Sequence, residues 1–228
     1  MTLWSEFLTN QGRHIHKWTH YFPIYESHFA RYVNRPCTFF EIGCGNGGSL
    51  QLWKRYLGPF AQIVGMDINQ ACAEFEEDQI AVRIGDQKDT NFLAKVLEEF
   101  GTPDVVLDDG SHIMADVVGT FRYLYPLTSP VGVYAVEDLH TAYWEEFGGG
   151  ARREGSFIEL SKSLVDELNA DHARGQVPVT DFTKTTLSMH FYDSVVVFER
   201  GRHLKKHAPF IGMSFRKFWK NALPSKFK

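Results

Sequence analysis

The stretch FFEIGCGNGGSL, Phe39 to Leu50, decides the fold of this chain. It runs from an apolar strand into a turn that contains four glycines, and the letters that begin at its end, LQLWKRYL, place apolar residues at helical spacing. Glycine allows positive φ and close approach of the backbone, so a ligand can lie against the turn and the N-terminus of the helix. The stretch therefore predicts a nucleotide-like ligand, and a glycine turn with a purely structural role is the alternative.

The acid before the glycines indicates which cofactor is bound. The glycines alone satisfy GxGxxG, a weak pattern that dinucleotide-binding dehydrogenases share. Glu41 makes the run E-x-G-x-G-x-G, which resembles motif I of class I S-adenosylmethionine (SAM) methyltransferases, where no pyrophosphate has to be accommodated. The resemblance implies SAM rather than a nicotinamide dinucleotide, bound by Glu41, Gly43, Gly45 and Asn46.

Length and composition are those of one ordinary globular domain. The chain has 228 residues, of which 43% are hydrophobic and 23% charged, enough for a proper core. The three cysteines, Cys37, Cys44 and Cys72, lack metal-ligand spacing and are expected to be reduced. No secretory signal opens the chain and no apolar run approaches the length of a membrane span, so we expect a soluble, cytoplasmic protein.

Charge is unevenly distributed along the chain. Nine of the 24 Lys and Arg lie between Arg200 and Lys228, a segment without Asp or Glu, so residues 1–199 hold 15 basic against 28 acidic side chains. An acidic body argues against nucleic acid as a partner, because phosphate binding needs a basic face. The basic tail interleaves aromatic with charged residues, which predicts either a solvated end or weak contact with an anionic membrane through Phe215, Phe218 and Trp219.

The middle of the chain alternates short β-branched runs with helical patterns, as in a parallel sheet covered by helices on both faces. Five runs are predicted to be strands: CTFFEIG, QIVGMDI, IAVRIGD, DVVLDDG and GVYAVED. Helical patterns between them include TNFLAKVLEEFG and IMADVVGTFRYLY. TTLSMHFYDSVVVFERG adds two extended runs, and by analogy with class I methyltransferases we expect a Rossmann-like α/β fold with a seven-stranded, mostly parallel sheet.

Three parts of the chain are expected: an N-terminal helical cap over the ligand cleft (residues 1–36), the SAM-binding core (37–201) and the basic tail (202–228). The cap holds four histidines among six aromatic residues in GRHIHKWTHYFPIYESHFARY. This pattern favours packing or contact with substrate over a His-metal site. After the fifth strand, Gly148, Gly149 and Gly150 indicate a mobile loop, which is either a lid or a slack connector.

Two further strand ends carry acids suited to a bound nucleoside. Asp67, followed by Ile68, ends the second strand 24 positions after Gly43, and it can accept hydrogen bonds from both ribose hydroxyls. Asp86, followed by Gln87, ends the third strand and is placed to meet the adenine amino group, as the acid at this position does in many methyltransferases. The alternatives are that Asp67 caps the next helix and that Asp86 is a turn residue.

The fourth and fifth strands end in DDGSH and EDLHTAYW. Because adjacent parallel strands deliver their ends side by side, Asp109 is expected to converge with Glu137 and Asp138 in an all-oxygen site. Three crowded carboxylates repel one another unless a cation lies between them. Hard oxygen ligands suit Mg²⁺, with Mn²⁺ as the substitute, and solvated loop acids are the alternative.

These residues carry a family resemblance. A D-x-x-H motif, followed 28 positions after its Asp by ED with HTAYW behind it, resembles the metal-dependent sugar O-methyltransferases of the macrocin and mycinamicin type, which modify deoxysugars on natural products. The resemblance extends over Lys17 to Gly201. It implies that Asp109, Glu137 and Asp138 bind the metal, with Asp109 also at the cofactor, and that His112 is the general base. The alternative for His112 is a helix-capping or hydrogen-bonded structural histidine.

The predicted function is SAM- and Mg²⁺-dependent O-methylation of a sugar hydroxyl on a glycoside, glycolipid, oligosaccharide or glycosylated natural product. His140, Tyr143 and Trp144 are expected to line the acceptor pocket, with core packing as the alternative for Trp144. Imidazole titrates near neutrality and can take the proton, while a cation stabilises the developing alkoxide. One rival is a catechol-type methyltransferase, whose pattern has a lysine in place of His112 and an amide at the third ligand. Another is a protein that binds SAM without catalysis, and a homo-oligomer is left open.

Overall fold

The computed structural model describes residues 2–204, 206–209 and 211–212. The strands of this described part are β1 (Cys37–Ile42), β2 (Ala61–Asp67), β3 (Ile80–Ile84), β4 (Val105–Asp108), β5 (Val133–Val136), β6 (Thr186–Tyr192) and β7 (Val195–Arg200). Its α-helices are α1 (Leu3–Leu8), α2 (Phe22–Phe29), α3 (Gly48–Leu57), α4 (Thr90–Phe100), α5 (Met114–Leu124), α6 (Phe157–Leu168) and α7 (Asp181–Thr185). The membrane contact predicted for Phe215, Phe218 and Trp219 lies outside the described residues.

One sheet holds all the strands in the order β3-β2-β1-β4-β5-β7-β6. Strands β1 to β5 pair in parallel, and β7 runs antiparallel between β5 and β6. The predicted seven-stranded, mostly parallel sheet is thereby confirmed. The strand order reverses direction between β1 and β4, and ligands of open α/β sheets bind in the crevice at such a point, beyond the carboxyl ends of the strands.

Helices cover both faces of the sheet, as predicted. Buried side chains of α1, α2 and α3 pack against one face, and those of α4, α5 and α6 pack against the other. On the first face, Trp53 of α3 stacks on Phe39 of β1 with ring centroids 5.0 Å apart, and Tyr25 of α2 stands perpendicular to Trp53 at 5.2 Å. The described part of the predicted N-terminal cap, residues 2–36, therefore contributes to the core that packs against the sheet. Among the described residues, no helix has the length and apolar character needed to span a membrane.

The turn after β1 depends on a close backbone approach at Gly43. This residue has φ +83°, and a Cβ atom there would lie 2.1 Å from the carbonyl oxygen of Asp109. The amide of Asp109 in turn donates to the carbonyl of Ile42 at 2.9 Å. The glycine turn and the acid that follows β4 are therefore in direct contact, so whatever binds the turn lies beside that acid.

The loop with Gly148, Gly149 and Gly150 folds back onto the turn that precedes it. The amide of Gly149 donates to the carbonyl of Trp144 and that of Gly150 to the carbonyl of Ala142, both at 2.9 Å. A Cβ at Gly149 would lie 2.5 Å from the backbone of Ala142, so the approach is close. These contacts hold the loop beside the acids after β5, and its role as a lid remains a prediction.

Candidate active site

Two of the predicted metal ligands, Asp109 and Glu137, follow the carboxyl ends of β4 and β5. The amide of Glu137 donates to the carbonyl of Asp108 at 3.1 Å, so the two chains stay side by side beyond their last ladder pair. Both side chains then accept hydrogen bonds from the ammonium of one residue, Lys17. The structure thus brings Asp109 and Glu137 together around the ammonium group of Lys17.

Lys17 lies in the extended segment before α2, and its side chain is only 4% exposed. Its Nζ is 2.5 Å from Oδ2 of Asp109, donates to Oε1 of Glu137 and is 3.5 Å from Oε1 of Glu41. Burial alone lowers the pKa of Lys17, but the three carboxylates outweigh it and hold the pKa well above its ordinary value. Lys17 was not predicted from the sequence, because two of its partners are 92 and 120 positions away and no local motif marks it.

His112 and Asp138 lie on the open side of the same cluster. Nε2 of His112 is 3.7 Å from Oδ1 of Asp109 and 3.7 Å from Oδ2 of Asp138. Both His112 (φ 57°) and Asp138 (φ 56°) are left-handed, a conformation that costs energy in non-glycine residues and concentrates at functional sites. The hydroxyl of Tyr21 donates to Oδ1 of Asp138 at 2.6 Å, which leaves Oδ2 facing the imidazole.

The acids Asp109 and Asp138 lie close enough to share a metal ion, with the imidazole of His112 beside them. One ligand atom from each of these side chains lies within 4.8 Å of the others. Glu137 lies beside Asp109 but outside this group of three, and its two oxygens accept hydrogen bonds from Lys17 and from the hydroxyl of Tyr25. Carboxylate oxygens with room for water suit Mg²⁺ and Mn²⁺, so the donors present fit the predicted cation.

Burial changes the titration of the cluster. It raises the pKa of Glu137 well above its ordinary value, with repulsion from Asp109 adding to the effect. It also raises the pKa of Asp109 to about 6, although Lys17 opposes the shift. For His112 burial lowers the pKa, against the attraction of Asp138 and Glu137, so the imidazole is neutral at neutral pH and Nε2 can accept a proton. The carboxylates are therefore short of positive charge, which a divalent cation supplies.

A cleft of about 270 Å³ opens beside the glycine turn. The predicted cofactor residues that line it are Gly43, Asp67, Ile68, Asp86 and Gln87. Phe92 of α4 and Ile113 before α5 add an apolar wall suited to a flat base. Neither was predicted, because an apolar residue at helical spacing is typical of the core.

Asp67 and Asp86 both lie at the edge of this cleft and also order their own loops. Oδ2 of Asp67 accepts from the amide of Gly45 at 3.0 Å and Oδ1 accepts from the amide of Asn69 at 2.8 Å. Oδ1 of Asp86 accepts from the amide of Lys88 at 2.9 Å. Each acid therefore accepts hydrogen bonds from backbone amides of nearby loops, as in the structural alternative to ligand binding. Each also borders the space in which a nucleoside would lie.

Gln87 is buried, and its amide group is used inside the protein. Oε1 accepts from the amide of Ser111 at 2.7 Å, and Nε2 donates to Oγ1 of Thr120 at 3.0 Å. The side chain thus ties the loop after β3 to the loop after β4 and to α5. Its contribution to the cleft is to hold these two loops in register.

Glu41 connects the glycine turn to the acid cluster. Its side chain is fully buried; Oε2 accepts from the hydroxyl of Ser49 at 2.8 Å, while Oε1 faces Lys17. Gly45 and Asn46, the other residues predicted to bind cofactor in this turn, lie exposed at its tip. Glu41, in the strand before the glycine turn, and the acids Asp109 and Glu137 therefore lie around the same ammonium group of Lys17.

Two cysteines lie beneath the glycine turn. Ligand atoms of Cys44, Cys72 and Asp67 are within 4.8 Å of one another, and Sγ of Cys72 is 3.2 Å from the carbonyl of Gly45. Sequence spacing does not predict this grouping, which arises from the fold. Burial raises the pKa of both thiols, so at neutral pH they are protonated and unsuited to ligate a metal as they stand.

Aromatic side chains surround the mouth of the acid cluster. The ring of His140 lies 4.9 Å from that of Trp144 and 6.0 Å from that of Trp18. Nδ1 of His140 is 3.9 Å from Oδ1 of Asp138, which places this group of rings next to the acids. Trp18, Tyr143 and Trp144 are 52%, 55% and 45% exposed. Large rings left open to solvent beside a polar cluster form a surface that can bind a ligand.

Known sugar O-methyltransferases are similar to this chain in sequence. No protein-family model matches the chain. It is 38% identical over 205 residues to the 8-demethyl-8-(2-methoxy-alpha-L-rhamnosyl)-tetracenomycin-C 3'-O-methyltransferase of Streptomyces olivaceus, a match that covers 85% of this chain and 52% of that protein. It is 37% identical over 214 residues to the mycinamicin VI 2''-O-methyltransferase of Micromonospora griseorubida, covering 87% of this chain and 52% of that protein.

A solved structure is similar over nearly all of the chain. It is the MycE methyltransferase of the mycinamycin biosynthetic pathway in complex with Mg, SAH and mycinamycin VI, with a TM-score of 0.77, 34% identity and coverage of 94% of this chain and 56% of that one. The chain thus spans about half the length of the curated relatives it matches.

Proposed function

We propose that this chain, a homologue of sugar O-methyltransferases with their class I fold, transfers the methyl group of SAM to a sugar hydroxyl of a glycosylated small molecule in a Mg²⁺-dependent reaction. The observation that carries the proposal is the grouping of Asp109, His112 and Asp138 beside the cleft at the glycine turn. The names of two relatives, which are O-methyltransferases of glycosides, support a sugar acceptor. Mg and SAH in the MycE complex support the two cofactors.

The cleft accounts for cofactor binding. SAM, when bound, supplies an electrophilic methyl group. Asp67 would accept hydrogen bonds from the ribose, and Asp86 would meet the adenine amino group at the other end of the cleft. Phe92 and Ile113 would exclude water from the two faces of the base. Because Gly43 brings the turn against Asp109, the reacting end of the cofactor would lie next to the acid cluster.

The acid cluster accounts for activation of the acceptor. Asp109 and Asp138, with Glu137 as the third predicted ligand, would hold the cation, which, when bound, polarises and orients the acceptor hydroxyl. Nε2 of His112 faces these acids and takes the hydroxyl proton, because the buried imidazole is neutral. The hydroxyl of Tyr21 fixes the orientation of Asp138. The site would then have to hold the acceptor oxygen in line with the methyl group and the sulfur of SAM, so that the transfer depends on how the two substrates are positioned.

The aromatic mouth of the site would receive the acceptor. Trp18 and Trp144 offer exposed rings at the entrance, and His140 contacts both rings and lies near Asp138. Tyr143, the residue before Trp144, is exposed as well and is the third ring proposed to meet the acceptor. Rigid rings supply contact area at low entropic cost, which suits the apolar face of a deoxysugar or of the group that carries it.

A transfer assay separates this function from its rivals. The protein would be incubated with SAM, Mg²⁺ and, in turn, a rhamnoside, other deoxyglycosides and catechol, and the products analysed by mass spectrometry. A methylated glycoside is the expected result. Methylation of catechol alone would assign the catechol-type activity instead, and tight SAM binding without transfer to any acceptor would favour a binding protein.

Two proposals concern location and partners. A cytoplasmic enzyme is proposed, acting alone or as a homo-oligomer, which analytical ultracentrifugation distinguishes by mass. The aromatic and basic tail is proposed to make weak contact with anionic membranes. Sedimentation with anionic vesicles, before and after deletion of residues 215–228, tests the contact, and equal binding by both forms excludes it.

A further inference from the structure

Lys17 belongs to the acid cluster, and the proposed chemistry assigns it no role. Its ammonium lies against Asp109 and Glu137, which follow β4 and β5, and against Glu41 near the end of β1. Asp109 is shared between two sides: Oδ2 contacts Lys17 at 2.5 Å, while Oδ1 faces Nε2 of His112 at 3.7 Å. A metal ion bound to Oδ1 of Asp109 would therefore be separated from the ammonium of Lys17 only by the carboxylate of Asp109.

Charge decides what such a neighbour does. Four carboxylates converge here, because Asp138 joins the three that Lys17 contacts. One ammonium compensates part of their charge in the absence of a metal, so Asp109 and Glu137 keep a partner at all times. The same ammonium repels an incoming divalent ion. At a separation of one carboxylate group in a mostly buried site, this repulsion lowers the affinity for the divalent ion by a factor of about ten or more.

We propose that Lys17 is a built-in monovalent counter-ion that lowers the affinity of the Asp109–Asp138 site for its divalent cation and so keeps metal binding reversible. The inference rests on the metal site of the proposed function and adds to it the residue that sets the strength of binding. Lys17 is thus a positioning residue for the acids and a competitor of the metal for their charge.

A purely structural lysine would behave in the opposite way. If Lys17 only held the N-terminal segment against the sheet, its removal would loosen Asp109 and Glu137 and weaken metal binding. A counter-ion, once removed, leaves the acids with more uncompensated charge, and the metal binds more tightly. The sign of the change in affinity therefore distinguishes the two roles, and a gain in affinity is not an outcome of structural damage.

The experiment measures Mn²⁺ binding by the whole chain at neutral pH, with free Mn²⁺ followed by electron paramagnetic resonance. Lys17→Met and Lys17→Gln remove the charge at the site. The matched control is Lys54→Met, which removes a lysine paired with Glu77 at 3.1 Å away from the acid cluster. Asp109→Asn tests the metal site itself, and circular dichroism checks the fold of every variant.

The expected result is that both Lys17 variants bind Mn²⁺ about tenfold more tightly than the parent or better, that Lys54→Met is unchanged and that Asp109→Asn binds much more weakly. Equal or weaker binding by both folded Lys17 variants, with Asp109→Asn still defective, overturns the role of Lys17 and leaves the metal site standing. Absence of Mn²⁺ binding in the parent and in the Lys17 variants overturns the metal site and this inference together.

Discussion

Nε2 of His112 lies 3.7 Å from Oδ2 of Asp138, although the two residues follow different strands and are 26 positions apart in the sequence. Each residue has a left-handed backbone conformation, so the loops after β4 and β5 are both strained where they bring the two side chains together. An imidazole beside a carboxylate that is otherwise fixed by the hydroxyl of Tyr21 is suited to take a proton from a hydroxyl bound at that acid.

Replacement of His112 by alanine should lower kcat by roughly 10²- to 10⁴-fold, the usual range for a lost general base. Binding of SAH should change little, because the side chain of His112 is not among those that line the cleft. Steady-state methyl transfer and titration calorimetry measure the two effects. His172→Ala, at an exposed position, is the control and should match the parent. A His112→Ala enzyme within a few-fold of the parent would remove His112 from the chemistry.

The pH profile should follow the protonation of His112. Imidazolium cannot accept a proton. Activity is therefore full above the pKa of His112 and is lost as the pH falls through that pKa. Because burial lowers that pKa, the acid limb of kcat/KM should lie below the ordinary histidine value of about 6.5. Rates at saturating Mg²⁺ across the pH range measure it. An acid limb clearly above the ordinary value would contradict the neutral, buried imidazole.

Replacement of Asp67 by alanine should weaken SAH binding about 30- to 100-fold, since loss of a charge-assisted pair to the ribose costs about 2 to 3 kcal/mol. The same carboxylate orders the glycine turn through the amide of Gly45, so thermal unfolding is measured beside the calorimetric titration. Asp78→Ala, at an exposed acid outside the cleft, is the matched control. Unchanged SAH affinity in Asp67→Ala would exclude Asp67 from the cofactor site.

Replacement of Trp53 by alanine should destabilise the protein by about 3 to 5 kcal/mol, the usual cost of truncating a buried large aromatic residue. Trp53 is fully buried and joins α2, α3 and β1 through rings at 5.0 to 5.7 Å. Urea unfolding measures the loss, and Phe60→Ala, at a site 61% exposed, should fall within about 0.5 kcal/mol of the parent. A loss below about 1 kcal/mol for Trp53→Ala would mean that the N-terminal helices are not part of the core.

The fold could be predicted from local patterns to the extent that its elements are local. β-Branched runs and helical spacing marked β1 to β5, α4 and α5 close to their observed bounds. The single seven-stranded sheet came from the family resemblance, and strand order was not predicted, because nothing in a strand's own sequence says which strand pairs beside it. The acids after the strands could be predicted as well, since a parallel sheet gathers its carboxyl ends at one edge.

The parts of the site that could not be predicted depend on distant contacts. Lys17 and Tyr25 reach Glu137 from more than 100 positions away, and neither has a neighbour in the sequence that marks its role. Gln87 was predicted as a cofactor residue because it follows Asp86, whereas its amide group bonds to Ser111 and Thr120. Side-chain direction at the end of a strand depends on packing from other elements, and a motif does not contain that information.

The central claim is that the chain methylates a sugar hydroxyl with the help of a divalent cation held at Asp109 and Asp138. The most direct test is the transfer of a labelled methyl group from SAM to an accepted glycoside, measured in excess EDTA and again after Mg²⁺ is restored, with SAH binding followed in the same samples. The account predicts that EDTA abolishes transfer, that Mg²⁺ restores it, and that SAH binding stays nearly constant throughout. Full transfer in excess EDTA would contradict the claim and show that the acid cluster has a structural role.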